Sequence, residues 1–177
     1  MSVSETETLL SDPRFTISQA AAVAGVEPGA VRNWFQRGHL ILADEDRKAM
    51  EAGYAHKLTL RRVLQIAIAA ELVAFGISPS KAGWFAAKFT DLGEGDAGWE
   101  GEPSFHRPVI TRRPGHLFND GMTVLQISRT ALELRAEVVN IHSKTNALSF
   151  FTKGGAVLLL DLTDLVFQVR AKLGLPR

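Results

Sequence analysis

Residues 15–40 read FTISQAAAVAGVEPGAVRNWFQRGHL, and this stretch decides what the chain builds. Ser18 precedes the apolar Ala21, Ala22 and Val23 and carries a hydroxyl that can accept from a free helical N–H, so it is expected to cap a short helix. Gly25 ends that helix, because glycine enters the left-handed conformation without a Cβ penalty. Pro28 then occupies a first helical position, where a missing N–H costs nothing, and opens a second helix with Val31, Trp34 and Phe35 on one face. Gly38 stops it. The pattern is short helix, three-residue turn over Gly25-Val26-Glu27, short helix, which is helix-turn-helix spacing.

Downstream, Leu40 to Leu42, the polar run Asp44 to Lys48 and Gly53-Tyr54 fit a two-stranded wing or a loop. Thr59 is placed to cap a longer helix with an apolar stripe of Leu60, Val63, Leu64, Ala67, Ile68, Leu72 and Phe75, ended by Gly76. Ser78-Pro79 supplies an N-cap and first-position proline for another, carrying Ala82, Phe85, Ala86 and Phe89. Residues 91–104 hold four glycines, a proline and five acids without periodicity, and read as a linker.

Beyond it, short apolar runs separated by Pro and Gly suggest strands at 105–111, 122–128, 147–151 and 156–160, the last two as a hairpin through Lys153-Gly154-Gly155. Thr130 and Glu133 have capping-box spacing, which makes 131–140 helical, yet Leu132, Leu134 and Ala136 alternate as in a strand. Both readings stand at this level. Asp161 and Asp164 open a final helix with apolar Leu162, Leu165, Val166, Val169 and Leu173, closed by Gly174 and Pro176. The expected fold class is α+β: an all-helical N-terminal unit with a wing over 13–90, a linker over 91–104, and a small mixed unit over 105–177.

The whole chain of 177 residues is 46% hydrophobic and 22% charged, an ordinary globular composition with a formal net charge of +1. It contains no cysteine, which excludes disulfides, thiolate metal sites and cysteine nucleophiles. The five histidines (His39, His56, His106, His116, His142) show no metal-ligand spacing, and nucleotide-binding and hydrolase motifs are missing, so neither cofactor, metal nor enzymatic activity is expected. The acidic N-terminal segment lacks the pattern of a signal or transit peptide, and a cytoplasmic location without membrane contact is the expectation. Arg112-Arg113-Pro114-Gly115 reads as an anion site or an exposed turn; Trp84, Phe85, Phe89 and Trp99 read as a ligand pocket or, better, as core.

Charge is uneven along the chain. Residues 13–85 carry nine basic and six acidic groups, a net +3, against −3 for residues 1–12 and +1 for 86–177. On the second helix the periodicity that sends Val31 and Trp34 inward leaves Arg32, Asn33, Gln36 and Arg37 on other faces. Arginine pairs with guanine, and asparagine and glutamine with adenine, so these four form a candidate base-reading surface, with a solvated helix face as the competing reading. Arg47 and Lys48 in the wing and Lys57, Arg61 and Arg62 at the next helix start form a second basic set suited to phosphates.

The quoted stretch, followed by Gly53-Tyr54 and Phe75-Gly76-Ile77-Ser78, resembles the winged helix-turn-helix of MerR-type transcriptional regulators over residues 15–85, most specifically at Ala24-Gly25-Val26, Val31-Arg32, Gly38, Gly53-Tyr54 and Gly76. The resemblance implies a sequence-specific regulator of double-stranded DNA, with Arg32 on the recognition helix and Tyr54 in the wing, and admits a contact with RNA polymerase. Asn33 and Trp34 replace the family's usual tyrosine pair, and Ala55 replaces a wing arginine, a role open to His56 or Lys57. The layout is closer to the phage and prophage variants of the family. An architectural DNA-binding factor for excision or packaging, or a protein-interaction module without DNA, are the alternatives. Because one such unit covers a half-site, a homodimer is expected, joined by Leu162, Leu165, Val166, Phe167, Val169 and Leu173 of the last helix.

Overall fold

Thr16, one residue before the first apolar helical position, caps the first helix of the decisive stretch. In a computed structural model of the chain, which describes residues 3–41, 43–46, 57–93, 112–129, 133–141 and 156–176, its hydroxyl accepts from Gln19 N at 3.2 Å while Gln19 Oε1 accepts from Thr16 N at 2.9 Å. This reciprocal capping box displaces the expected cap: Ser18 lies inside the helix, because only Thr16 has a glutamine three residues on. Helix α1 spans Val3–Ser11, strand β1 Phe15–Thr16, and α2 Ile17–Ala24. Gly25 closes α2 at φ 67°, with Val26 N donating to Ala21 O at 3.0 Å. Helix α3, Pro28–Gln36, begins on its proline and ends ahead of Gly38, at φ 66°.

Asp44–Asp46, in the polar run of the segment expected to form a two-stranded wing or a loop, make a helical turn; residues 47–56 of that segment lie outside the described residues. Strand β2, Lys57–Leu58, pairs antiparallel with β1, setting Thr16 opposite Lys57 and Phe15 opposite Leu58. Thr59 caps helix α4, Leu60–Ala74, accepting from Arg62 N at 3.2 Å. Ser78 and Pro79 start α5, Pro79–Thr90. Helix α4 is buried on every face from Arg62 to Ala70, so it is the central element rather than a surface helix with one stripe.

Strands β3 (Met122–Arg129), β4 (Leu134–Ile141) and β5 (Val157–Asp161) form an antiparallel sheet in the order β4-β3-β5. The open segment 131–140 is therefore resolved in favour of a strand from Leu134, whose inward Ala136 and Val138 face Ile127 and Leu125 across the ladder. The expected strands at 105–111 and 147–151, and the hairpin through 153–155, lie outside the described residues; the described partner of β5 is β3. Helix α6, Leu162–Lys172, follows β5 directly, capped by Asp161, which accepts from Asp164 N at 3.0 Å.

The structure is thus mixed α+β with two small antiparallel sheets. Although the sequence pattern changes at 91–104, the described residues on either side do not bury separate cores. Leu64 and Phe89 join Leu125, Val138, Leu162, Val166 and Val169 in one apolar cluster, and Lys172 Nζ donates to Val23 O at 3.0 Å. A three-stranded sheet with one apolar face needs cover, and α5 and α6 provide it, with α4 packed against both helices.

Helix α5 approaches the turn after α3 so closely that a Cβ on Gly83 would stand 1.8 Å from His39 O and 2.9 Å from its carbonyl carbon. Gly83→Ala should therefore destabilise the protein by about 2–3 kcal/mol, lowering the melting temperature by roughly 2–4 °C per kcal/mol. Gly29→Ala, with nothing within 4 Å of the new atom, should be neutral or stabilise by up to about 1 kcal/mol. Urea denaturation of both variants checks the contrast.

Candidate nucleic-acid interface

The inner face of α3 buries Val31 and Trp34 and half-buries Phe35, while Ala20 and Ala21 of α2 are fully enclosed against α4. Small side chains there let the helices approach, and the glycine at position 25 turns the chain without a longer loop. Arg32, Asn33, Gln36 and Arg37 are left exposed together. Lys57 is exposed across the ladder from Thr16, the cap of α2. Arg47, Lys48, Tyr54 and His56 lie outside the described residues.

The two remaining cations of the expected phosphate set differ. Arg61 is 18% exposed and pairs through Nη2 with Glu7 Oε1 of α1 at 3.2 Å, so its charge is already shared. Arg62 is a correction. Its side chain is 0% exposed: Nε donates to Asp46 Oδ2 at 2.9 Å, Nη2 to Asp91 Oδ1 at 3.0 Å, and Nη1 to Gln65 Oε1 and Asp91 Oδ2. Asp46 in turn accepts from Thr59 N and Oγ1 at 3.3 and 3.0 Å and from Ala43 N at 3.1 Å. A guanidinium so enclosed cannot reach a phosphate. The run Ala67, Ile68, Ala69 and Ala70 in the sequence is consistent with a buried helix but does not identify the partners that enclose Arg62.

The expected dimer stripe is corrected as well. Leu162, Val166 and Val169 are buried within this chain's own core and Leu165 and Leu173 pack partly against it, while Phe167, at 38% exposure, points away. The aromatic quartet divides: Phe85 and Phe89 are core, Trp84 is 53% exposed beneath Lys88, and Trp99 lies outside the described residues. Arg112 is neither an exposed turn nor a free anion site. Its Nη1 donates to Phe89 O at 2.9 Å and its Nη2 to Lys88 O at 3.0 Å and Leu92 O at 2.8 Å, so it satisfies the open carbonyls at the end of α5.

Among the described residues, no cluster of three or more His, Asp or Glu side chains could hold a metal ion, and no helix is long and apolar enough to cross a membrane. No known family's model matches the chain, and no curated protein is significantly similar to it in sequence.

Removing one partner of a buried ion pair strands the others, whereas an exposed lysine has little to lose. Arg62→Ala should cost about 3–5 kcal/mol of folding stability and Lys57→Ala less than about 0.5 kcal/mol, read by urea denaturation at neutral pH. Equal costs would return Arg62 to the surface set.

Proposed function

We propose that the protein is a sequence-specific DNA-binding regulator that reads the major groove with α3, in a winged helix-turn-helix arrangement of the MerR type. One observation carries the reading: α2 and α3 pack through their inner faces around the Gly25 turn, leaving Arg32, Asn33 and Gln36 of α3 and Arg37 at its C-cap exposed together, side chains suited to base edges on a helix narrow enough for the groove. Lys57 is the described cation suited to an adjoining phosphate, and Arg61 contributes there only by giving up Glu7. The protein acts by binding, without a reaction of its own. One unit covers a half-site, so useful affinity requires a second copy, joined through a surface other than the buried Leu162, Val166 and Val169 stripe.

Selection of bound duplexes from a random pool, followed by anisotropy titration on the enriched site, tests this. Arg32→Ala and Asn33→Ala should each cost about 1–3 kcal/mol on that site and relax base preference. Lys57→Ala should weaken all sequences alike and lower the salt slope by about one. Failure to enrich any sequence, or equal losses on random DNA, would refute base reading; cooperative binding to several adjacent sites on a bent fragment would favour the architectural alternative.

A further inference from the structure

Among the described residues the three-stranded sheet has two outer strands, β4 and β5, because β3 pairs with both. An outer strand presents N–H and C=O groups along its open edge and templates another strand, unless its side chains oppose the newcomer. The two edges differ in what they offer a second copy of the chain.

In an antiparallel pair related by a two-fold axis, residues at equal distances before and after the central one stand opposite each other. Centred on Ala136, β4 sets its Arg135 against Glu137 of the copy and its Glu137 against Arg135 of the copy, so both facing pairs have opposite charge. On the other face Ala136 meets itself, where a small side chain admits close approach, and Leu134 meets Val138, which continues the apolar face that α5 covers. Within their own sheet these charges are not answered across the ladder: Arg135 lies opposite Ser128 and Glu137 opposite Gln126. Both are exposed. The ion pair of Arg135 with Glu133 Oε1, at 3.2 Å, uses Nε and is itself open to solvent, and a guanidinium has further donors for a second carboxylate. Strand β5 lacks this match, since centring it on Leu159 would set Val157 against the carboxylate of Asp161.

We propose that β4 is the surface through which two copies of the chain join, antiparallel and centred on Ala136, to make one six-stranded sheet in the order β5-β3-β4-β4-β3-β5. The choice of a second copy as occupant rests on the DNA-binding reading, which needs two half-sites held by one assembly, whereas the register rests on the strand alone. Pairing over residues 134–138 buries less than a standard interface, so the free dimer is weak, with a dissociation constant of about micromolar order, and two adjoining half-sites reinforce it.

Sedimentation equilibrium of the full chain without DNA reads the association. Arg135→Glu and Glu137→Arg each place like charges opposite one another twice and should each weaken the dimer about ten- to thirtyfold. The double variant restores opposite signs and should return the affinity to within about threefold of the parent. A second measurement reads the register. The chain has no cysteine, so Ala136→Cys supplies its one thiol, and opposite Cα atoms about 4.5–5.5 Å apart are within disulfide reach, so mild oxidation should cross-link this variant. Val139→Cys, three residues from the axis and so about 20 Å from its copy, should stay uncrosslinked. A chain still monomeric at about 0.1 mM, single reversals that leave association unchanged, a folded double variant as weak as the singles, or equal cross-linking at positions 136 and 139 would overturn the proposal. A dimer of this register that enriches no DNA sequence keeps this inference and loses the DNA-binding reading; a monomer that enriches one does the reverse.

Discussion

The Arg62 guanidinium, held between the carboxylates of Asp46 and Asp91, is the constraint on which the arrangement of the N-terminal helices depends. Taking three charges out of water costs several kcal/mol per ion, recovered only when the geometry is good and the remaining donors and acceptors are filled. Here they are filled from four places: the turn at 43–46, the start of α4, Gln65 one turn on, and the end of α5. Gln65 extends the network by donating to Gly83 O at 3.3 Å, and Gly83 is the residue that abuts His39 behind α3. A hydrophobic replacement could equal this network in stability. It could not specify register, since each of these segments has one position in which every polar atom is satisfied.

That network also shows what a sequence displays and what it conceals. Turns were legible because their chemistry is local: Gly25, Gly38 and Gly76 have positive φ, Pro28 and Pro79 open helices, and Thr59 caps one. Thr16 was missed in favour of Ser18 because both hydroxyls precede apolar residues, and the distinction rests on the return bond from Gln19. Partners from distant segments were not legible. Arg62 looks like the next surface cation after Lys57 and Arg61 until Asp46 and Asp91, 16 and 29 residues away, are brought to it. The width of the apolar stripe on α6 suggested a face for a second subunit, whereas the other side of that helix meets α2 and α4 of the same chain. The candidate reading face was legible because it consists of what an amphipathic helix leaves outside.

Arg112 applies similar chemistry with a different result. A protonated guanidinium at a helix C-terminus meets both unfilled carbonyls and the negative end of the helix dipole, and its stack on the Phe89 ring at 5.1 Å adds a contact to a buried aromatic face. Its anchoring sets the course of residues 113–118 over the helices, with Gly115 N donating to Phe89 O at 2.8 Å. Those residues form one wall of a cleft beside α1. Leu9 comes from the first helix and Arg170 from the last, so the cleft is lined from both ends of the described structure.

The bond from Lys172 Nζ to Val23 O joins positions 149 residues apart, and its consequence lies in the order of synthesis. Translation at about 5–20 residues per second places the last helix some 7 to 30 s behind α2. During that interval α2 and α4 emerge without the side chains that later cover them, so Leu64 and its neighbours present an open apolar surface to the ribosome's surroundings. A division into independently cored units would have let the N-terminal part finish folding on the nascent chain. The shared core instead makes completion a late, long-range event, which exposes the unfinished chain to chaperones and to its own aggregation in proportion to that delay.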